Sequence, residues 1–188
     1  MPSEREKMLA GELYLAADPE LVTLRRAARR LTRRFNATTE DEVETRLEIL
    51  RTLLGRSGPR LEIEPPFRCD YGFNIAVGDG FYMNFDGVIL DCAPVTIGDD
   101  VLCGPGVHIY AATHPLDPAV RITGLEAAKP VRIGDRVWLG GGVIVCPGVT
   151  IGDDTTIAAG SVVTRDIPAG VLAGGNPCRV IRPLENRA

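Results

Sequence analysis

From Val77 to Thr164, aliphatic or similar side chains return every six residues, a period that neither a helix nor a conventional strand uses. The series runs Val77-Gly78, Met83-Asn84 and Ile89-Leu90, then resumes after a slip of two residues with Ile97-Gly98, Cys103-Gly104 and Ile109-Tyr110. Its cleanest stretch is Ile133-Gly134, Leu139-Gly140, Val145-Cys146, Ile151-Gly152, Ile157-Ala158 and Val163-Thr164, six units without a break. The fifth place of a unit is small or β-branched, as at Val101, Val107, Val137, Val143, Val149, Thr155 and Ser161. Six residues cannot hold a helix and a turn, so each unit predicts a short strand and a corner. Three units close a triangular coil of about 18 residues, and stacked coils pair strand over strand about 4.8 Å apart. The aliphatic ladder fills the prism, and the glycine that follows it is expected to supply backbone angles closed to other residues. Residues 60 to 170 hold about five or six such coils.

Residues 1–57 follow a helical period instead. Ser3 with Glu6 predicts a capping box, followed by apolar Met8, Leu9, Leu13 and Tyr14. Asp18-Pro19-Glu20 predicts a second helix start, with Leu21, Leu24, Ala28, Leu31 and Phe35 on one face. Thr39 with Glu42 opens a third helix through Val43, Leu47, Leu50 and Leu54, ending at Gly55. Gly58-Pro59 marks the change of period. The expected division is a helical region over 1–57 and a coil region over 58–188. Paired arginines at Arg25-Arg26, Arg29-Arg30 and Arg33-Arg34 are expected on a solvated helix face or a subunit contact.

A net charge of −4 gives no broad positive footprint for nucleic acid or anionic membrane. No run is long enough to span a bilayer, and Met1 to Lys7 show no apolar leader, so a cytoplasmic location is expected. The cysteines (Cys69, Cys92, Cys103, Cys146 and Cys178) are odd in number and lack a C-x-x-C pair. They predict reduced, mostly buried thiols and neither a disulfide framework nor a zinc site.

There are 2 histidines. His108 ends its unit, where side chains point outward. His114 ends the next unit, immediately before the repeat breaks. The stretch from Pro115 to Pro130, with Pro118, Gly124, Asp117, Arg121 and Glu126 between, cannot continue the coil and is expected to leave it as a loop.

Several segments resemble one known group: Lys7-Met8-Leu9-Ala10-Gly11-Glu12-Leu13-Tyr14, Pro65-Pro66-Phe67, Thr113-His114-Pro115, Ile151-Gly152-Asp153 and Gly175-Asn176-Pro177-Cys178-Arg179-Val180-Ile181. Together they resemble the maltose/galactoside O-acetyltransferase family of hexapeptide-repeat acyltransferases. The likeness covers nearly the whole chain. It implies a mainly β fold, a left-handed parallel β-helix with a small helical N-terminal region, against the right-handed habit of parallel crossovers. It further implies a homotrimer with active sites at subunit interfaces, acetyl-CoA as acyl donor, and no metal.

The resemblance assigns His114 the role of catalytic base. A neutral imidazole takes a hydroxyl proton and returns it to a thiolate leaving group near physiological pH. Glu126, Asp117 or a backbone carbonyl could hold its other nitrogen. Asn84 matches the family's residue at the acceptor and reaction centre, where an amide could donate to an oxyanion. Asp70 and Asp91 resemble acceptor contacts, with Glu126 as a further candidate. Ala16 and Cys92 stand where galactoside enzymes have Asp, and Cys69-Asp70-Tyr71-Gly72 looks like the maltose type. Gly141, Ala159, Thr164 and Arg165 match coenzyme-contacting positions, and Arg179 and Arg182 match those near its nucleotide phosphates. Trp138, outward on the coil, is expected in an interface or along the coenzyme groove.

Three rival readings follow from the same coil. A zinc carbonic anhydrase needs three His ligands, one more than this chain has. A non-catalytic scaffold would have no use for a His-bearing loop. An antibiotic-type acetyltransferase remains the rival within the class.

Overall fold

The computed structural model describes residues 1–185; the end of the expected C-terminal tail, 186–188, lies outside the described residues. Helix α1 (Glu4–Ala10) starts at the expected capping box, with Ser3 Oγ accepting from Glu6 N–H and the Glu6 carboxylate returning to Ser3 N–H. It stops sooner than the apolar run suggested. Gly11 takes φ 75° and closes the helix, so Tyr14 lies on a short strand, Tyr14–Leu15, and Leu9 and Leu13 are exposed. Helix α2 (Pro19–Asn36) is capped by Asp18 and buries Leu21, Ala28 and Phe35. Helix α3 (Val43–Leu53) buries Ile49, Leu50 and Leu53, while Val43 is left exposed.

From Leu61 onward the chain winds through three parallel sheets in rotation. Face I begins with Leu61–Ile63, face II with Phe67–Cys69 and face III with Ile75–Val77. The next turn adds Phe81–Met83, Gly87–Leu90 and Val95–Ile97 in strict register, Met83 over Ile63, Ile89 over Cys69 and Ile97 over Val77. The faces grow to seven, five and four strands respectively. The chain closes with Arg179–Pro183 running antiparallel on Val171–Gly174.

The first and fifth places of the units both point inward: Ile97, Cys103, Ile109, Ile133, Leu139, Val145, Ile151, Ile157 and Val163 are buried, as are Val101, Val107, Val137, Val143 and Val149. Each such side chain contributes roughly 1.5–3 kcal/mol by leaving water. The glycine in second place works differently from the expectation. Gly98 and Gly134 have no positive φ; a β-carbon on either would collide with the carboxylate of Asp135 or Asp153 in the adjoining coil. The left-handed backbone sits two residues later, at Asp100, Gly106, Arg136, Gly142, Asp154 and Gly160. Close approach, and not backbone freedom, is what the second place demands.

Candidate active site

Departures from the six-residue count fall on the edge between faces II and III: residues 70–74, 91–94 and 111–130 separate strands of those faces. Because the coils are stacked, these three excursions converge. Asp91, in the second of them, has 0% of its surface exposed. Its Oδ1 accepts the backbone N–H of Asp70 (3.1 Å) and of Tyr71 (2.8 Å), and its Oδ2 accepts that of Asn74 (3.3 Å). Burial pushes its carboxyl up to about 6, against the pull of those N–H donors. The carboxylate is thereby committed to shaping the corner. That placement does not fit the expectation that Asp91 touches an acceptor.

Around this corner sits a second polar layer. Cys92 Sγ donates to Asp70 Oδ2 at 3.5 Å, and Tyr14 Oη donates to Glu126 Oε2 at 3.0 Å. Burial raises the Asp70 carboxyl above its ordinary value, opposed by the Cys92 hydrogen bond and by the charges of Arg25 and Arg29. Burial also pushes the Cys92 thiol up to about 12, so it serves as a donor and not as a thiolate. Arg25 turns inward from α2, contrary to a purely solvated face. Its Nη1 donates to Tyr71 Oη at 2.7 Å and its Nη2 to the Ala16 carbonyl at 2.6 Å. Tyr14, Arg25 and Tyr71 build this polar layer, and nothing in the residue pattern alone assigns them a role. The helix stop at Gly11 was the available signal for Tyr14.

His114 stands at the mouth of the longest excursion. Strand Ala112–Thr113 pairs antiparallel with Leu125–Ala128, the tip carries helix α4 (Pro118–Arg121), and the coil resumes at Val131–Ile133. Leu125 and Glu126 pair in turn with Leu15 and Tyr14, which ties the loop to the N-terminal region. His114 itself is exposed. Neither carboxylate considered for orienting it is hydrogen-bonded to it among the described residues: Asp117 Oδ1 caps α4 through Ala119 N–H, and Glu126 holds Tyr14. His108 points outward on face II and its Nδ1 lies 2.6 Å from Tyr110 Oη.

Asn84 lies on a different edge, between faces I and II, where Gly141 and Ala159 also sit. There the coils approach so closely that a β-carbon on Gly140 would lie 2.6 Å from Ala159 N, and one on Gly141 3.3 Å from the Pro105 carbonyl. Asn84 Oδ1 accepts Phe85 N–H at 2.7 Å. Thr164 and Arg165 return to the edge between faces II and III. Arg179 and Arg182 are exposed on the final antiparallel strand. Trp138 and Leu102 stack in register on the outside of face I, 54% and 49% exposed. Among the described residues no group of three His, Cys, Asp or Glu is placed to hold a metal ion, and no helix is long and apolar enough to cross a membrane.

Residues 7–58 match the maltose acetyltransferase hexapeptide capping motif, and residues 130–165 match the bacterial transferase hexapeptide of six repeats. The chain is 52% identical to a maltose O-acetyltransferase from Clostridium difficile 630 of known crystal structure, with a TM-score of 0.97 over 98% of this chain and 99% of that one. The chain belongs to the maltose/galactoside O-acetyltransferase family. Its activity is acyl transfer of that type. A galactoside acetyltransferase solved in complex with coenzyme A is 40% identical, with a TM-score of 0.94, over 100% of this chain and 93% of that one. Nodulation protein L of Rhizobium meliloti (strain 1021) is 54% identical over 178 residues, 95% of this chain and 97% of that protein. Family members thus carry different names for what they act on, and the site has to be read for this chain's own acceptor.

Proposed function

We propose that this chain moves an acetyl group from acetyl-CoA to a hydroxyl of a maltose- or glucose-like sugar, as a homotrimer with His114 as general base. The carrying observation is the division of the candidate residues between two edges of one prism. His114, Asp70 and Glu126 occupy the edge between faces II and III, and Asn84 the edge between faces I and II. The coenzyme candidates divide the same way, Thr164 and Arg165 against Gly141 and Ala159. Three prisms that turn face II toward a shared axis bring the first edge of one chain beside the second edge of the next. The outward positions of the later strands of face II, His108, Ile144 and Val162, suit such a contact because they are apolar apart from the histidine; Arg68 and Val88, earlier in the same column, lie beside α2 instead.

In that arrangement acetyl-CoA supplies the acyl group as a thioester. His114 takes the proton of the acceptor hydroxyl as its oxygen attacks the thioester carbonyl, and returns that proton to the departing sulfur. Asn84 is oriented for the accompanying charge: Phe85 N–H occupies its Oδ1, leaving the Nδ2 protons to donate to an oxyanion. Asp70 and Glu126 offer carboxylate oxygens to sugar hydroxyls. Gly141 and Ala159 leave room for a thin chain against the backbone, and Arg179 and Arg182 present guanidinium groups to phosphates.

The test is His114→Ala. Transfer from acetyl-CoA to maltose or glucose, followed by thiol release, is expected to fall by about 10²–10⁴ while acetyl-CoA binding persists. Near-normal turnover would overturn the assignment of the base. Light scattering is expected to give a mass three times 20.2 kDa; a monomer with full activity would overturn the shared site.

A further inference from the structure

A cavity of about 690 Å³ lies between α2 and the outside of face II, and it opens beside the acceptor candidate Asp70. Its lining includes the apolar Val88 and Leu90 and three arginines, Arg29, Arg33 and Arg68. Arg29 and Arg33 come from one stripe of α2, one helical turn apart, and Arg68 faces outward from the first strand of face II, registered against Val88. None of the three takes part in an ion pair among the described residues. Arg25, one turn earlier on the same stripe, is already engaged by Tyr71 and the Ala16 carbonyl. The stripe therefore runs from the polar layer around Tyr71 into the cavity over about 12 Å, the rise of eight helical residues. Its first arginine is spent on structure and its last two are uncommitted. Asp70 is the one carboxylate in the lining, and Arg29 is close enough to act on its titration.

Three arginines gathered around one concavity concentrate positive charge within a chain whose net charge is −4. Guanidinium forks match carboxylate, sulfate and phosphate oxygens, and two or three of them on different elements fix the position of such a group as well as its charge. Resting on the transferase reading above, we infer that the preferred acceptor carries an anionic group on the unit adjoining the acetylated sugar, or on that sugar away from the reacting hydroxyl. Arg29, Arg33 and Arg68 hold that group while Asp70 and Glu126 hold the hydroxyls. A neutral sugar makes the same hydroxyl contacts and leaves the cavity to water.

Matched acceptors test this: maltose against maltobionate for a carboxylate, and glucose against glucose 1-phosphate for a phosphate. The readout is the ratio of kcat/KM, anionic over neutral, for the intact protein and for Arg33→Gln and Arg68→Gln. At low ionic strength the ratio is expected near tenfold for at least one pair, carried by KM, and to fall toward one in each variant and in high salt. The pair that shows it tells carboxylate from phosphate. A ratio near one in the intact protein, or a preference that survives both substitutions, overturns the inference and leaves the transferase reading standing. So does a variant that loses the trimer's mass, because the arginines would then be holding subunits together. No transfer to any of the four acceptors, with acetyl-CoA bound, overturns the transferase reading for this acceptor class and the inference with it.

Discussion

The edge between faces III and I and the edge between faces II and III are made by the same chain on the same prism, and they are built by opposite rules. On the first, every corner repeats. Asp79 Oδ1 accepts Arg60 N–H, Asp99 Oδ1 accepts Asp79 N–H, Asp135 Oδ1 accepts Asp99 N–H and Asp153 Oδ1 accepts Asp135 N–H, all at 2.8–2.9 Å. Stacked carboxylates one coil apart repel, and Arg60 with Asp79 and Asp100, and Arg136 with Asp154, offset that on the exposed side. On the second edge no two excursions agree in length, and one buried carboxylate, Asp91, ties the first two together. Repetition gives a ladder that solvent can reach and that tolerates the loss of any rung. Irregularity gives corners that differ, and the first of them hangs on a single side chain.

Asp91→Ala is therefore expected to produce the larger stability loss. It leaves three corner N–H groups without their acceptor, at a cost of roughly 3 kcal/mol, read as a lowered denaturant midpoint. Asp91→Asn, which keeps the shape, gives the pH signature. The carboxyl titrates near 3.8 when unfolded and about 6 when folded, so the folded state holds the extra proton between those values. Its contribution to stability is complete below about pH 4 and is lost as pH rises through 6. The asparagine variant is expected to flatten that part of the stability profile. An unchanged midpoint with a raised acceptor KM would restore Asp91 to the acceptor contacts.

This contrast also marks what could be read from the residues. The regular edges follow from local rules repeated many times, so the interior ladder at Ile133 through Val163 and the escape of the chain after His114 were both visible in the spacing. The reason for Gly98 and Gly134 was not, because it lies in the neighbouring coil and concerns Asp135 and Asp153. The hand of the coil came from the resemblance, since a period of six has no hand. The apolar ring of Tyr14 continues the run past Gly11, so the pattern alone extends the first helix through it, whereas the helix stops at Gly11. Its partner Glu126 is 112 residues away, a separation that spacing does not reveal. Arg25 looked like its neighbours on α2, and only the position of Tyr71 sets it apart.

Tyr14→Phe probes how firmly the excursion is tied back. It removes the hydroxyl that holds Glu126 and leaves the ring buried, so the expected loss of stability is about 1 kcal/mol. The loop strand Leu125–Ala128 keeps its backbone pairing, but Glu126 is released toward the acceptor. A several-fold rise in acceptor KM with acetyl-CoA KM unchanged is the expected kinetic result. Equal rises in both would mean that the whole loop had shifted, and that Tyr14 anchors the loop and not the acceptor contact.

Asp135→Ala tests the regular edge and should do least. It deprives Asp99 N–H of its acceptor, yet that rung lies at the surface, where water replaces the carboxylate. A loss at or below about 1 kcal/mol is expected, with both KM values unaltered. A loss as large as that of Asp91→Ala would show that the ladder is cooperative along its length, each coil holding the next in register. The comparison would then have to be redrawn, with the repeating edge as the spine of the prism and the irregular edge as a branch hung from it.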